Sequence, residues 1–154
     1  MRLSELLNSS AITLQLRSKT KPEALVEMVE LLEAAHGIKS QGEILDRVMR
    51  REAMMTTGIG NGVAIPHGKL PNLKKLVGVF ARLERPIDFE AIDEQPVDLI
   101  FLLLAPGTAG ADHLKALARV SRLLRDRPTR DKLRGSETPE AIYALLTEQH
   151  ASAA

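Results

Sequence analysis

Apolar and polar positions along this chain follow two rhythms. Ala11–Leu16 alternates with the period of a short strand. After it, Thr20 and Glu23 stand three apart in a capping box, and the spacing predicts a helix through about Ala35, stopped by Gly37. Ser40 and Glu43 form a second box, predicting a helix through about Glu52. A glycine-rich stretch, Gly58-Ile59-Gly60-Asn61-Gly62, then leads into a short apolar strand, Val63-Ala64-Ile65. Two stronger strands are predicted at 76–83 and 97–104. Asp112 is placed to cap a long helix through about Asp126, Pro128 begins a short helical piece ended by Gly135, and Thr138-Pro139 opens a last helix to about Gln149. Residues 151–154 read as a frayed tail, so the domain is expected to span 1–150.

Strands interleaved with helices predict an α/β fold, a single-domain sandwich with a central mixed β-sheet flanked by helices. The run Leu99–Ala105 has no alternation, so both faces of that strand must be covered and it belongs in the middle of the sheet. At seven residues it is far short of the roughly 20 that span a bilayer, and no signal-peptide core precedes it.

Composition narrows the chemistry. The 154 residues contain no cysteine, which removes thiolate catalysis, thiolate metal sites and disulfides and fits a cytoplasmic protein. Three Phe and one Tyr are too few for base-stacking or sugar platforms. The net charge of +1 argues against nucleic-acid binding. That near-neutral total hides two opposed segments. Glu84–Asp98 has six acidic residues and one basic, a net of −5, and Asp112–Arg134 has eight basic and three acidic, a net of +5. They read as two solvated faces or as an interface for charged partners.

Three residues break the bland pattern. His67 sits in Ile65-Pro66-His67-Gly68. There Pro66 stiffens the chain, and Gly68 is expected to let it turn away and leave the ring uncovered. Ile44, Val48 and Arg51 fall at i, i+4 and i+7, so an apolar helical stripe ends in a guanidinium shortly before the glycines. Such an arginine either snorkels to water or forms an inward fork for a carboxylate or phosphate. His113 shares a stripe with Leu117, Val120 and Leu124, which turns its ring toward the core in the first turn of a helix, where anions are favoured. The glycine stretch matches neither a dinucleotide fingerprint nor a Walker loop. It reads as a bulged turn, or as backbone amides brought close to an anion.

Two histidines, an arginine, a helix N-terminus and a glycine loop are the parts of a phosphohistidine site. A neutral imidazole nitrogen attacks phosphorus, and the arginine and second histidine stabilise the phosphoryl oxygens. Metal binding is not expected. His36, His67, His113 and His150 have no short ligand spacing.

The segment Arg51-Glu52 followed by Thr57–Lys69, with Ile87–Phe89, Ala91–Asp93, Gln95–Asp98 and His113-Leu114, resembles the enzyme IIA domains of the bacterial phosphoenolpyruvate-dependent phosphotransferase system. Within that family it is most similar to the fructose/mannitol class and its nitrogen-regulatory group. The resemblance implies a phosphoryl group carried on His67, with His113 and Arg51 around it and Thr57 nearby. It implies no cofactor, the small histidine phosphocarrier protein as donor, and regulated partners such as transport or sensor-kinase proteins linked to nitrogen and potassium. A sugar-specific IIA subunit that passes phosphoryl to a IIB domain would carry the same site. A pure binding module would have no reason to keep all three residues together.

Overall fold

A computed structural model describes residues 2–148 of the chain. Its strands are β1 (Ile12–Leu16), β2 (Gly58–Gly60), β3 (Val63–Ala64), β4 (His67–Leu70), β5 (Val77–Ile87) and β6 (Val97–Pro106). Its helices are α1 (Lys21–His36), α2 (Glu43–Met54), α3 (Gly110–Arg125), α4 (Arg127–Gly135) and α5 (Pro139–Thr147). Single 3-10 turns at Leu3–Glu5 and Ser9–Ala11 precede β1.

The strands form one mixed sheet in the order β1-β5-β6-β3-β2, with β4 also on β6. β1 runs parallel to β5, β5 antiparallel to β6, and β3 and β4 parallel to β6. As its apolar run requires, β6 is central and almost wholly buried. The helices fall into two groups, α1 with α2 and α3 with α4 and α5. Both groups pack on β6, α1 from the first and α3 from the second.

Several boundaries differ from the sequence pattern, each for a local reason. Thr20 caps α1 as expected, its hydroxyl accepting from Glu23 N at 3.3 Å. The second box does not form. The chain turns through Gln41 and Gly42, both at positive φ (52° and 88°), and α2 starts only at Glu43. Ser40 still accepts from Ile44 N, while its own hydroxyl donates to Glu33. Asp112 does not cap α3. Ala109 is the cap, which places Asp112 third and His113 fourth in the helix. β5 runs four residues beyond the expected end at Leu83. α5 ends at Thr147; the expected end near Gln149 and the tail at 151–154 lie outside the described residues.

The glycine stretch is itself β-structure. β2 and β3 form a hairpin whose turn, Asn61-Gly62, has φ of 60° and 80° at its two positions, the left-handed pair that Asn-Gly supplies. The tip is clamped by Arg134 of α4, which makes two 2.9 Å bonds to Asp98 and a third to Asn61 O.

Candidate functional site

β3 and β4 lie end to end along β6, and the two residues between them, Ile65 and Pro66, belong to neither. Pro66 has no N–H to give a ladder, so the pairing lapses there. Its carbonyl still accepts from Leu103 N at 3.0 Å, and Ile65 N donates to Thr57 O at 3.0 Å. This break frees the carbonyl of Ile65, which lies 2.9 Å from Nδ1 of His67. A carbonyl can only accept, so Nδ1 carries the proton and Nε2 holds the lone pair. His67 is half-buried at the first position of β4. Gly68 does not turn the chain away as the sequence reading expected; β4 continues in register with β6 to Leu70.

Gly68 lies against Val48 of α2. Strand alternation therefore turns His67 to the other side, where α3 packs. There His113 is 6% exposed, and its ring centroid is 5.6 Å from that of His67, with the planes at 58°. Nδ1 of His113 is buried and has no hydrogen-bond partner among the described residues, so a resting bond from this nitrogen to a carbonyl does not occur. Nothing bonded to Nδ1 fixes the tautomer of this second ring.

Arg51 sits in the last turn of α2, half-buried, with one guanidinium N–H donated to Met55 O at 2.9 Å. Its charge is close enough to His67 to act on the ring's titration. Burial, chiefly, holds His67 below its ordinary pKa, and Arg51 pushes the same way against the Ile65 bond and the Glu52 carboxylate. His113 is likewise lowered, first by burial and then by His67 and Lys69. Both rings are neutral at neutral pH, which is the form a nitrogen nucleophile needs.

Thr57 is tied to the strand before His67 through its carbonyl, which accepts from Ile65 N. It is buried, its hydroxyl donates its proton to Glu52 Oε2 at 2.6 Å, and its N–H donates to Glu52 Oε1 at 2.8 Å. Lys21 of α1 completes the group 3.0 Å from Glu52 Oε1 and stacks 4.7 Å from the Phe89 ring centroid. Thr57 therefore holds the loop beneath the site, and its hydroxyl proton is not directed at a phosphoryl group.

Glu52 and Lys21 were missed as site residues. The signal for Glu52 was present: Ile44, Val48 and Glu52 are i, i+4 and i+8, so an acid ends the buried stripe. Lys21, at the first position of a helix, carried no such signal. Lys69 was also missed, although it is two residues from His67 on the same side of β4.

The amides of the glycine stretch do approach an anion, but it is the protein's own. Asn61 N donates to Asp93 Oδ2 at 3.0 Å, and Gly58 packs against Ala91 so closely that a Cβ would stand 2.8 Å from its Cα. This stretch secures the acidic loop after β5. No group of metal-ligating side chains occurs among the described residues. Met54, Met55 and Leu114 are large apolar residues that are mostly exposed, close in sequence to Arg51 and His113.

Residues 5–149 match the family model described as phosphoenolpyruvate-dependent sugar phosphotransferase system, EIIA 2. The nitrogen regulatory protein of Bradyrhizobium diazoefficiens is 50% identical over 154 residues, covering 100% of each chain. The fructose-specific EIIABC component of Bacillus subtilis is 34% identical over 96% of this chain, which spans only 23% of that larger protein. The crystal structure of nitrogen regulatory protein IIA-Ntr from Neisseria meningitidis superposes with a TM-score of 0.89 at 34% identity, covering 94% of this chain and 99% of that one. The chain belongs to the EIIA 2 family and is a phosphoryl-carrying component of the phosphotransferase system.

Proposed function

We propose that the carried phosphoryl group resides on Nε2 of His67. It would be accepted in the cytoplasm from the phosphohistidine of a small phosphocarrier protein, and its presence would switch the binding of regulated transport or sensor-kinase partners. One observation carries the site: the Ile65 carbonyl holds the Nδ1 proton of His67 and leaves Nε2 as the free nucleophile beside His113 and Arg51. In the transfer, the Nε2 lone pair forms a bond to phosphorus as the donor's N–P bond breaks. The electron pair returns to the donor imidazole. Arg51 offsets charge on the equatorial oxygens, and His113 donates from whichever nitrogen faces them. The ring that results keeps its Nδ1 proton on Ile65. The exposed Met54, Met55 and Leu114 suit a protein donor better than a small one.

The regulatory output is favoured by the 50% identity, across both full lengths, to a relative named a nitrogen regulatory protein. The fructose-specific relative keeps a second reading in view, onward transfer to a IIB domain. Incubation with phosphoenolpyruvate, enzyme I and the phosphocarrier, followed by mass measurement, tests the site. One acid-labile phosphoryl group is expected on the wild type and none on His67→Ala. Transfer from the loaded protein to a sugar-specific IIB domain would favour the second reading.

A further inference from the structure

β1 is an edge strand. It pairs with β5 on one side, and that is its only strand partner among the described residues. Between β1 and α1 runs a groove of about 840 Å³. Its apolar surface comes from Leu16, Val26 and Leu31. Its helical wall carries Glu23, Glu27 and Glu30, spaced i, i+4 and i+7 on one face of α1. None of the three makes an ion pair among the described residues; Glu23 accepts only the Lys19 backbone N–H. β1 is short and shifts register between Thr13 and Leu16, and its Leu14 carbonyl accepts from Arg82 Nε at 3.2 Å, but it contains no lysine or proline, and α5, which packs on β1, does not line the groove.

We propose that this groove is a docking site for an extended basic segment of a partner protein. The segment would add to the sheet beside β1, its backbone pairing with the groups of that edge that β5 and Arg82 leave free. Its apolar side chains would enter the groove, and its Lys or Arg side chains would meet the glutamate row. An open edge supplies affinity through main-chain hydrogen bonds, and the side-chain surfaces beside it supply specificity. Three carboxylates without an ion pair among the described residues select a cationic segment and repel an acidic one. The site lies three strand spacings from β4, about 14 Å across the sheet. A segment bound there leaves His67 open, so both surfaces can be engaged together. The inference concerns binding alone and stands whether or not His67 is phosphorylated.

The test uses a seven-residue acetylated peptide that alternates valine with arginine, titrated into the intact protein and followed by backbone amide NMR. Saturable shifts confined to residues 12–17 and 23–31 are expected. The Glu23→Gln, Glu27→Gln, Glu30→Gln variant, which changes only exposed or half-exposed side chains, should weaken binding at least tenfold. A peptide with glutamate in place of arginine should not bind, and alternate backbone N-methylation should abolish strand addition. Shifts centred elsewhere, equal binding of the acidic peptide, or unchanged affinity in the triple variant would overturn the proposal. So would pairing of two copies through β1, detected as concentration-dependent sedimentation with shifts at the same amides.

Discussion

The Ile65 carbonyl, two residues before His67, holds the imidazole by its Nδ1 proton at 2.9 Å. The bond exists because Pro66 interrupts the β3–β4 line and leaves that carbonyl outside the ladder. It fixes the tautomer without any charged partner, so the ring is oriented while its basicity stays modest. The phosphoryl group is therefore expected on Nε2. Nitrogen-15 NMR of the phosphorylated protein checks it, since only the substituted nitrogen couples to phosphorus. Phosphorus coupling at Nδ1 would overturn the assignment.

The pH dependence follows from two lowered histidines. Burial leads in both, and each ring is neutral in the folded protein over a range where the unfolded chain would already be protonating it. Between the unfolded value of 6.5 and the lower folded values, the unfolded state binds more protons, so stability rises with pH in that window. The full contribution is present above 6.5 and is lost as pH falls through the window toward the folded values. Phosphoryl uptake should fall over the same range as Nε2 becomes protonated. Ring-proton NMR titration should place both midpoints below 6.5, and a midpoint at or above that value would contradict the role of burial.

Arg51 should matter for transfer far more than for folding. Its hydrogen bond to Met55 O is exposed, and the loss of that bond costs about 1 kcal/mol or less. Removing a charge-stabilising donor from a transfer site slows reaction by roughly 10²–10³-fold. Arg51→Ala should therefore slow phosphoryl uptake by about that factor with little change in urea midpoint. Arg51→Lys should fall between, because it restores the charge and not the fork. Rapid-quench kinetics with the phosphorylated carrier read the difference.

How much was legible in advance depends on whether a local signal existed. β6 declared itself through an unbroken apolar run, and α1 through a capping box and a terminal glycine. His113 and Arg51 stood out because each is a polar residue in an apolar helical stripe. β4 did not declare itself. His67-Gly68-Lys69-Leu70 has almost no apolar pattern and is a strand only because β6 offers it a ladder. The fate of the glycine amides was equally illegible. Their anion, Asp93, lies 32 residues downstream, and no local pattern joins the two. Thr57 shows a third kind of loss. Its partner Glu52 is settled by the fold of the loop between them, which no local pattern displays.

The hairpin tip offers a test of a long-range tie. Arg134 grips Asp98 with two parallel bonds and Asn61 O with a third, from 36 and 73 residues away. The pair is partly exposed, with side chains 34% and 20% accessible, so solvent screening limits its worth to about 1 kcal/mol. A double-mutant cycle with Arg134→Ala and Asp98→Ala should return a coupling near that size that shrinks with salt. Coupling near zero would make the contact incidental. Gly62→Ala should cost more than either single change, because Gly62 sits at φ 80° and its missing Cβ leaves room for the same guanidinium and carboxylate.

Glu52 is the residue whose loss should hurt the fold most among those near the site. Its carboxylate is 4% accessible and holds the N–H and hydroxyl of Thr57 together with the ammonium of Lys21, itself only 13% accessible. Glu52→Ala leaves the mostly covered Lys21 only the exposed Glu90 carboxylate at 3.6 Å and leaves two buried donors unpaired, a loss of roughly 3–5 kcal/mol. Thr57→Val removes a single hydroxyl donor from the same carboxylate and should cost about 1–3 kcal/mol. The consequence reaches His67 through the backbone. Thr57 O receives Ile65 N, and Ile65 O receives the His67 ring. A loosened Thr57 should therefore release the ring as well as the loop. In Thr57→Val, which stays folded on this arithmetic, the Nδ1 proton of His67 should exchange with water faster than in the wild type. An unchanged exchange rate beside a lowered urea midpoint would confine Glu52 and Thr57 to stability and cut the link to the site.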